Sequence, residues 1–183
     1  GPLWQHLLGA AFNDLGQTSY QQGNLQDAVA FHRRALAISE ALVANDPSDP
    51  RWQKDLAASQ RLTATVLQDQ GLINDALAYL QASFAITKRL ADASKDQSAL
   101  RDLMISHTDL GLAYARGKDS SAALPDLRAA LALAKQQADA DPLGTTWQRD
   151  VAVAHERLGA VLVMRGDQTG ALEEYQRGLA AMQ

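Results

Sequence analysis

Apolar side chains recur along this chain with the spacing of one helix face. Leu7, Leu8, Ala11, Phe12 and Leu15 make a first stripe, and Leu25, Ala28, Val29, Ala35, Leu36 and Leu42 make the next. Between such stretches the chain is punctuated in two ways. Gly23-Asn24, Gly71, Gly117-Lys118 and Gly166-Asp167 suit tight turns at helix ends, where a left-handed residue is needed. Asn45 to Pro50 and Asp139 to Gly144 are longer Asp-Pro breaks. The segments between breaks are rich in Ala, Leu and Gln, and the pattern predicts helices of about 18–22 residues joined as hairpins. Pro125 alone interrupts a helical stretch, and the expectation is an irregular first turn near the start of its helix.

The hairpins repeat. Ala28, Ala76, Ala123 and Ala171 step by 48, 47 and 48 residues. Gly16, Ala64, Gly111 and Gly159 keep the same steps, as do Ala35, Ser83, Ala130 and Gly178. Trp4-Gln5, Trp52-Gln53 and Trp147-Gln148 share this register, as do Lys54-Asp55-Leu56, Arg101-Asp102-Leu103 and Arg149-Asp150-Val151. Three small-residue tracks in one register define four repeats, 3–50, 51–97, 98–145 and 146–183, after a Gly1-Pro2 that reads as the scar of a cleaved tag. Small residues on facing helices let the two axes approach closely. One hairpin cannot bury its apolar surface alone, so the next must stack on it. The expectation is one all-α solenoid of four hairpins, about eight antiparallel helices, with first helices forming a concave wall. The tryptophans, at the start of first helices, are expected to wedge against the preceding second helix. The Lys/Arg-Asp pairs beside them are expected to form a solvated ion-pair rim.

The residues resemble the tetratricopeptide repeat (TPR) family. In the first unit Leu15-Gly16 is followed by Ala28, His32 and Ala35, and in the last Leu158-Gly159 by Ala171, Tyr175 and Gly178. Thr63-Ala64 with Ala76, Leu80 and Ser83, and Leu110-Gly111 with Ala123, Leu127 and Ala130, complete the set. The repeat is longer than the family's usual length of about 34 residues. Glu40, Lys88 and Lys135 stand where the family closes its second helix with proline. The long Trp-Gln form is similar to arrays in bacterial multidomain proteins, so the chain reads as a piece of a longer one. The resemblance implies a right-handed superhelix and a non-catalytic scaffold for protein partners.

Composition narrows the choice of chemistry. Seventeen Lys+Arg against 21 Asp+Glu give a net charge of −4, which argues against a nucleic-acid surface. With no cysteine there is no disulfide, thiolate metal site or Cys nucleophile. No apolar run reaches the roughly 18–20 residues that span a bilayer, so a soluble, cytoplasmic chain without membrane insertion is expected. His107 and His155 occupy equivalent positions on successive first helices, where Phe12 and Gln60 stand in the other repeats, and read as half-buried packing residues. His6 and His32 have no evident ligand partners. His155-Glu156 lacks the second histidine of a zinc motif, because Gly159 is there. Gly111 to Lys118 has the wrong glycine spacing for a phosphate loop, and Asp119 replaces its Ser/Thr. Glu173 and Glu174 are adjacent on a helix and diverge. No catalytic residue, metal or cofactor is expected.

The resemblance places a partner on the first-helix face beside the small-residue track. That face comprises Asn13, Gln17, Tyr20 and Gln21, then Arg61, Thr65, Gln68 and Asp69, then Thr108, Leu112, Ala115 and Arg116, and finally Glu156, Ala160, Val163 and Met164. It runs from amide-rich to apolar, so a peptide or helix with one polar and one apolar end would fit. The Lys/Asn clamp that some family members close on a C-terminal carboxylate is absent. The alternative is a structural, self-associating module that spaces or dimerises flanking domains through Leu172, Tyr175, Leu179 and Met182 on the last helix. An enzyme or cofactor protein ranks third, since no clustered polar pocket is evident.

Overall fold

The computed structural model describes every residue except Lys95 and Gln183. Among the described residues there are eight α-helices and no strand. They are α1 (Pro2–Gln21), α2 (Leu25–Asn45), α3 (Pro50–Asp69), α4 (Ile73–Ser94), α5 (Gln97–Arg116), α6 (Ser120–Ala140), α7 (Thr145–Met164) and α8 (Gln168–Ala180). The chain is therefore the all-α helical repeat that the periodicity predicts. It forms two compact units, Gly1–Leu90 and Ala91–Gln183. In the first, α2 packs on both α1 and α3, and α1 also touches α3. In the second, α6 packs on both α5 and α7, α8 packs on α7, and α5 touches α7.

Each hairpin turn is built the same way. The amide of Asn24 donates to the Ser19 carbonyl and that of Gly23 to Tyr20, the paired bonds of a Schellman helix end. The same two bonds recur as Leu72 to Leu67 with Gly71 to Gln68, Asp119 to Tyr114 with Lys118 to Ala115, and Asp167 to Leu162 with Gly166 to Val163. The next side chain then caps the following helix: Asn24, Asp119 and Asp167 accept from the amides of Asp27, Ala122 and Gly170. The turn needs one left-handed residue, and Gly23, Gly71 and Gly166 supply it at φ 78°, 80° and 86°. In the third repeat that place falls to Lys118, at φ 64°, and Gly117 keeps a negative φ. A Cβ in this conformation costs roughly 1–2 kcal/mol, so the register of the turn outweighs the local preference for glycine.

The small-residue tracks are the contact lines within the hairpins. Ala28, Ala76, Ala123 and Ala171 are all buried, as are Ala35, Ser83, Ala130 and Gly178. A Cβ on Gly16 would lie 2.6 Å from the His32 ring, one on Gly111 2.6 Å from Leu127 Cγ, and one on Gly159 2.6 Å from the Tyr175 ring. First and second helices therefore meet at a separation that only hydrogen permits at these three points.

The joints between repeats explain the recurring Trp-Gln pair. Trp147 is 3% exposed and packs with Ala130 and Ala134 of α6 and with Met104 of α5. Beside it, the Gln148 amide donates to the Pro142 carbonyl at 2.8 Å, tying down the Asp-Pro loop. Gln53 does the same to Pro47 at 3.0 Å, next to a Trp52 that is 6% exposed. One role thus goes to each residue: the indole fills the joint and the amide holds the loop. Trp4 departs from the expectation. It is 67% exposed, and among the described residues no second helix lies against that face of α1.

Two further expectations are corrected. Pro125 lies in the second turn of α6, and the helix starts regularly at Ser120 with Asp119 as its cap. The missing amide of Pro125 removes one bond to a carbonyl four residues back, and the surrounding helix absorbs that loss. Two members of the Lys/Arg-Asp pairs reach across to a neighbouring first helix rather than standing in a solvated rim: Asp55 of α3 meets His6 of α1, and Arg101 of α5 meets Asp150 of α7.

Candidate functional site

The first helices of each unit lie side by side, α1 with α3 and α5 with α7, and their polar side chains are stapled across the gap. His6 Nδ1 lies 2.5 Å from Asp55 Oδ2. The Tyr20 hydroxyl donates to Asp69 Oδ2 at 2.5 Å. Arg101 Nη2 lies 3.1 Å from Asp150 Oδ2. All three pairs have the same offset of 49 residues, one 48-residue repeat plus one position. His6 is the register equivalent of Lys54, Arg101 and Arg149, so the basic member of one repeat reaches the acid of the next. The Asp150 side chain is only 13% exposed, and Arg101 also lies over the Trp147 ring at 5.3 Å from its centroid. The His6–Asp55 and Arg101–Asp150 pairs are half-buried staples between repeats, and the Tyr20–Asp69 pair is an exposed one.

A second set of pairs links the two helices of one hairpin, 19 residues apart. His107 Nδ1 meets Asp126 Oδ1 at 2.8 Å, and His155 Nδ1 meets Glu174 Oε2 at 2.6 Å. In the first repeat the same positions hold Phe12 and Phe31, stacked with ring centroids 6.3 Å apart. The two histidines are therefore packing residues, each with an acid partner. The visible clue in the sequence is an acid 19 positions after each histidine.

Of the partner-facing candidates, Tyr20 and Asp69 are brought together. Asn13 is half-buried and tied inward: its amide donates to Ser59 Oγ at 3.1 Å and its oxygen lies 3.1 Å from His32 Nδ1. Thr108 is buried and its hydroxyl donates to the Met104 carbonyl, so it does not present a polar group outward. Thr65 likewise donates to the Arg61 carbonyl. Gln17, Arg61, Gln68 and Leu112 are half-buried, whereas Gln21, Arg116, Glu156, Ala160, Val163 and Met164 are exposed. Ala115 is buried, because a small residue on that side of α5 packs into the core around Leu124 and Leu127. Leu172, Tyr175 and Leu179 are exposed on α8, and Met182 is exposed just past its end rather than on the helix.

Two clefts open beside these faces, and neither followed from the periodicity, because each draws residues from three segments. In the first unit a cavity of about 170 Å³ lies among α1, α2 and α3. His6, Asn13, Asp14 and Asp55 give it a polar lining, over a floor that includes Gly9, Ala10 and Ala58. In the second unit a more open cleft of about 410 Å³ is lined by Gln97, Ser98, Arg101, Asp141, Thr146 and Trp147. Among the described residues no group of three His, Cys, Asp or Glu side chains comes together that could hold a metal ion. Among the same residues no helix is long and apolar enough to cross a membrane.

The tetratricopeptide repeat family model matches residues 8–49 and 56–94. These two segments are tetratricopeptide repeats. The third and fourth hairpins continue the TPR pattern in the same register, with Ala123 and Ala171 buried on the same track. Solved structures share the fold. BtubC (BKLC) from P. vanneervenii aligns with a TM-score of 0.77 at 18% identity over 97% of this chain and 64% of its own. The apo form of RapI aligns at 0.74 and 16% identity, over 97% of this chain and 43% of its own. Aspartyl phosphate phosphatase F from Bacillus subtilis gives the same score and identity, over 97% and 40%. The chain thus spans from two fifths to under two thirds of these proteins, and at such identities the likeness concerns the TPR-like fold alone. A search among curated proteins finds none that matches.

One buried group of the first TPR titrates. His32 packs under Gly16, and burial holds its pKa below the ordinary 6.5. Asn13 uses its amide on Ser59, so its oxygen accepts from a neutral His32 that carries the proton on Nδ1. The unfolded chain protonates this imidazole near 6.5, the folded chain only at lower pH. Between those values the unfolded state binds more protons, so stability falls as pH drops through that window. Leu80 and Leu127 occupy the same position in the second and third repeats, which makes His32→Leu a tolerable swap. Thermal melts at about pH 7.5 and 5.0, on either side of the unperturbed imidazole value, are expected to show a smaller acid loss in the variant. Equal losses in both proteins would contradict a neutral buried His32.

Proposed function

We propose that the chain is a non-catalytic scaffold that holds a peptide or helix of a protein partner along its first-helix faces. The supporting observation is the division of labour on those helices. One set of side chains is consumed by staples and packing, and a second set, Gln21, Glu156, Ala160 and Met164 among them, projects outward without serving the fold. In the first unit a cleft of about 170 Å³ opens beside the first helices α1 and α3, with room for a side chain of a bound segment. The methionine adds an adaptable apolar contact at the C-terminal end of α7. TPR folds generally mediate protein association, which agrees with this reading. One structural neighbour is named a phosphatase, but at 16% identity that name does not carry chemistry to this chain.

The test is capture of a partner by the native chain and two folded variants. Gln21→Ala, Glu156→Ala and Met164→Ala combined alter the first-helix faces. Arg33→Ala and Glu40→Ala combined alter exposed positions on α2. A protein retained by the native chain and the α2 variant, and lost by the face variant, is the expected result. Equal retention by all three would remove the first-helix faces as the binding surface.

A further inference from the structure

The cavity among α1, α2 and α3 lies where the second unit places larger side chains. Gly9 and Ala10 of α1 and Ala58 of α3 form its floor. Two repeats on, the same register holds Met104, Ile105 and Val153. There Met104 is buried in a cluster with Ala130, Ala134 and Trp147, and Ile105 packs against the same cluster. All three floor positions thus carry a smaller residue in the first unit, and a space of about 170 Å³ stands open over them.

Close packing does not require Gly9. A Cβ there would lie 3.5 Å from Ile38 Cγ2, an ordinary contact, against 2.6 Å for the Cβ atoms that Gly16, Gly111 and Gly159 exclude. Gly9 sits in the interior of α1 in ordinary helical backbone, where alanine makes the more stable helix. What this glycine supplies is space. The charge around that space has one sign. Asp14 and Asp55 line it and no Lys or Arg does, so the lining carries −2, or −1 with His6 protonated. His6 occupies Asp55 Oδ2, and the exposed Asp14 carboxylate has no hydrogen-bond or ion-pair partner among the described residues. Ile38 and Leu42 of α2 add an apolar wall. Every lining residue comes from α1, α2 or α3, so the site is built within the first unit.

We propose that this cavity receives a lysine side chain of the segment held along the first-helix faces. Its methylene stem lies on Ile38, Leu42 and the Gly9–Ala10 floor, and its ammonium is answered by the Asp14 and Asp55 carboxylates. This subsite rests on the scaffold function proposed above and adds what the partner segment carries. The size agrees, since a cavity of roughly 150 Å³ takes a ring the size of benzene and the stem and ammonium of lysine need no more. An ammonium on a flexible stem suits acids that stand apart on two helices, whereas the planar fork of arginine is matched by one carboxylate bidentately. An acidic group would face two carboxylates. An apolar side chain would strip water from Asp55 and return no hydrogen bond.

The probe is n-butylammonium, with n-butanol as its uncharged counterpart of equal size. Each is titrated into the isotope-labelled chain and followed by NMR at the Ile38 and Leu42 methyls and the Asn13 side-chain amide. The native chain is expected to bind butylammonium saturably, and butanol about tenfold more weakly or worse. Gly9→Met fills the floor as Met104 does, and is expected to abolish binding while melting no lower than the native chain. Asp14→Asn with Asp55→Asn keeps the shape, and is expected to weaken butylammonium by about tenfold and leave butanol unchanged. No saturable shift in the native chain, equal affinity for butanol, or undiminished binding by folded Gly9→Met would each overturn the subsite. The peptide acetyl-Gly-Gly-Lys-Gly-Gly-amide separates a lysine side chain from a free amine. It is expected to displace butylammonium, and its norleucine counterpart is not. Butylammonium bound with the lysine peptide excluded would assign the cavity to a free alkylamine and overturn the lysine assignment. The scaffold function fails separately: equal capture by the first-helix face variant, with butylammonium still bound, would remove the faces and not the cavity.

Discussion

Gly111→Val is expected to lower the stability of the second unit by about 3 kcal/mol or more, the upper end of what overpacking costs. The reason is local and geometric. A Cβ at Gly111 would stand 2.6 Å from Leu127 Cγ and 3.1 Å from the Ala123 carbonyl oxygen. The leucine can rotate, but the carbonyl belongs to α6 and cannot move without separating the two helices. Valine adds two more carbons to a line that admits none. Gly111→Ala is expected to cost less, about 1–2 kcal/mol before the gain in helix propensity. The second repeat already carries that solution, with Ala64 at the same position opposite Leu80. Urea denaturation followed by circular dichroism measures both variants. A Gly111→Val chain with the native midpoint would mean that close approach of α5 and α6 is not what the glycine supplies.

Trp147→Ala is expected to cost about 3–5 kcal/mol, as for other buried large-to-small aromatic substitutions. The indole is 3% exposed, and its removal leaves Met104, Ala130, Ala134 and Val151 around a void that small side chains cannot fill. Trp4→Ala, at the same register, is expected to change the stability of the dilute chain by within about 0.5 kcal/mol, because the ring is 67% exposed. The same residue in the same motif should thus give opposite results. Melts recorded at low protein concentration decide it. Equal losses for the two variants would contradict the role assigned to the preceding second helix.

Those two substitutions also mark how far local pattern reaches. The close approach at Gly111 was readable because all four repeats hold a small residue there, and such a residue kept in register marks a line of helix contact. The Trp-Gln pair was readable as a motif but not as a mechanism. That Gln148 holds the Pro142 carbonyl needs the loop to fold back on the helix, which no spacing rule states. The burial of Thr108 was missed for a similar reason. Met104, Ile105, Gly111 and Leu112 flank it on the helix face, and its hydroxyl satisfies the Met104 carbonyl of its own helix, so a residue counted as polar can be buried there. The pairs offset by 49 residues lay hidden because the basic and acidic members sit side by side in sequence, inviting a local pairing. A rise of about 1.5 Å per residue and a turn of about 100° point adjacent side chains in different directions, so Asp55 and Arg101 find their partners on a neighbouring first helix instead.

By itself, the sequence determined the helical class, the four repeats, the places of the turns and the small-residue lines on which helices meet. These follow from short-range rules, periodicity and backbone sterics, and fourfold repetition makes such signals stand out. The tertiary structure alone decided which register-equivalent residues are buried and which are exposed, as Trp147 and Trp4 show. It also decided that Lys118, not Gly117, takes the left-handed turn, and that the acids of one first helix answer the bases of another. Burial and pairing depend on which helix comes next to a given face, and that is a property of the stack rather than of any one repeat.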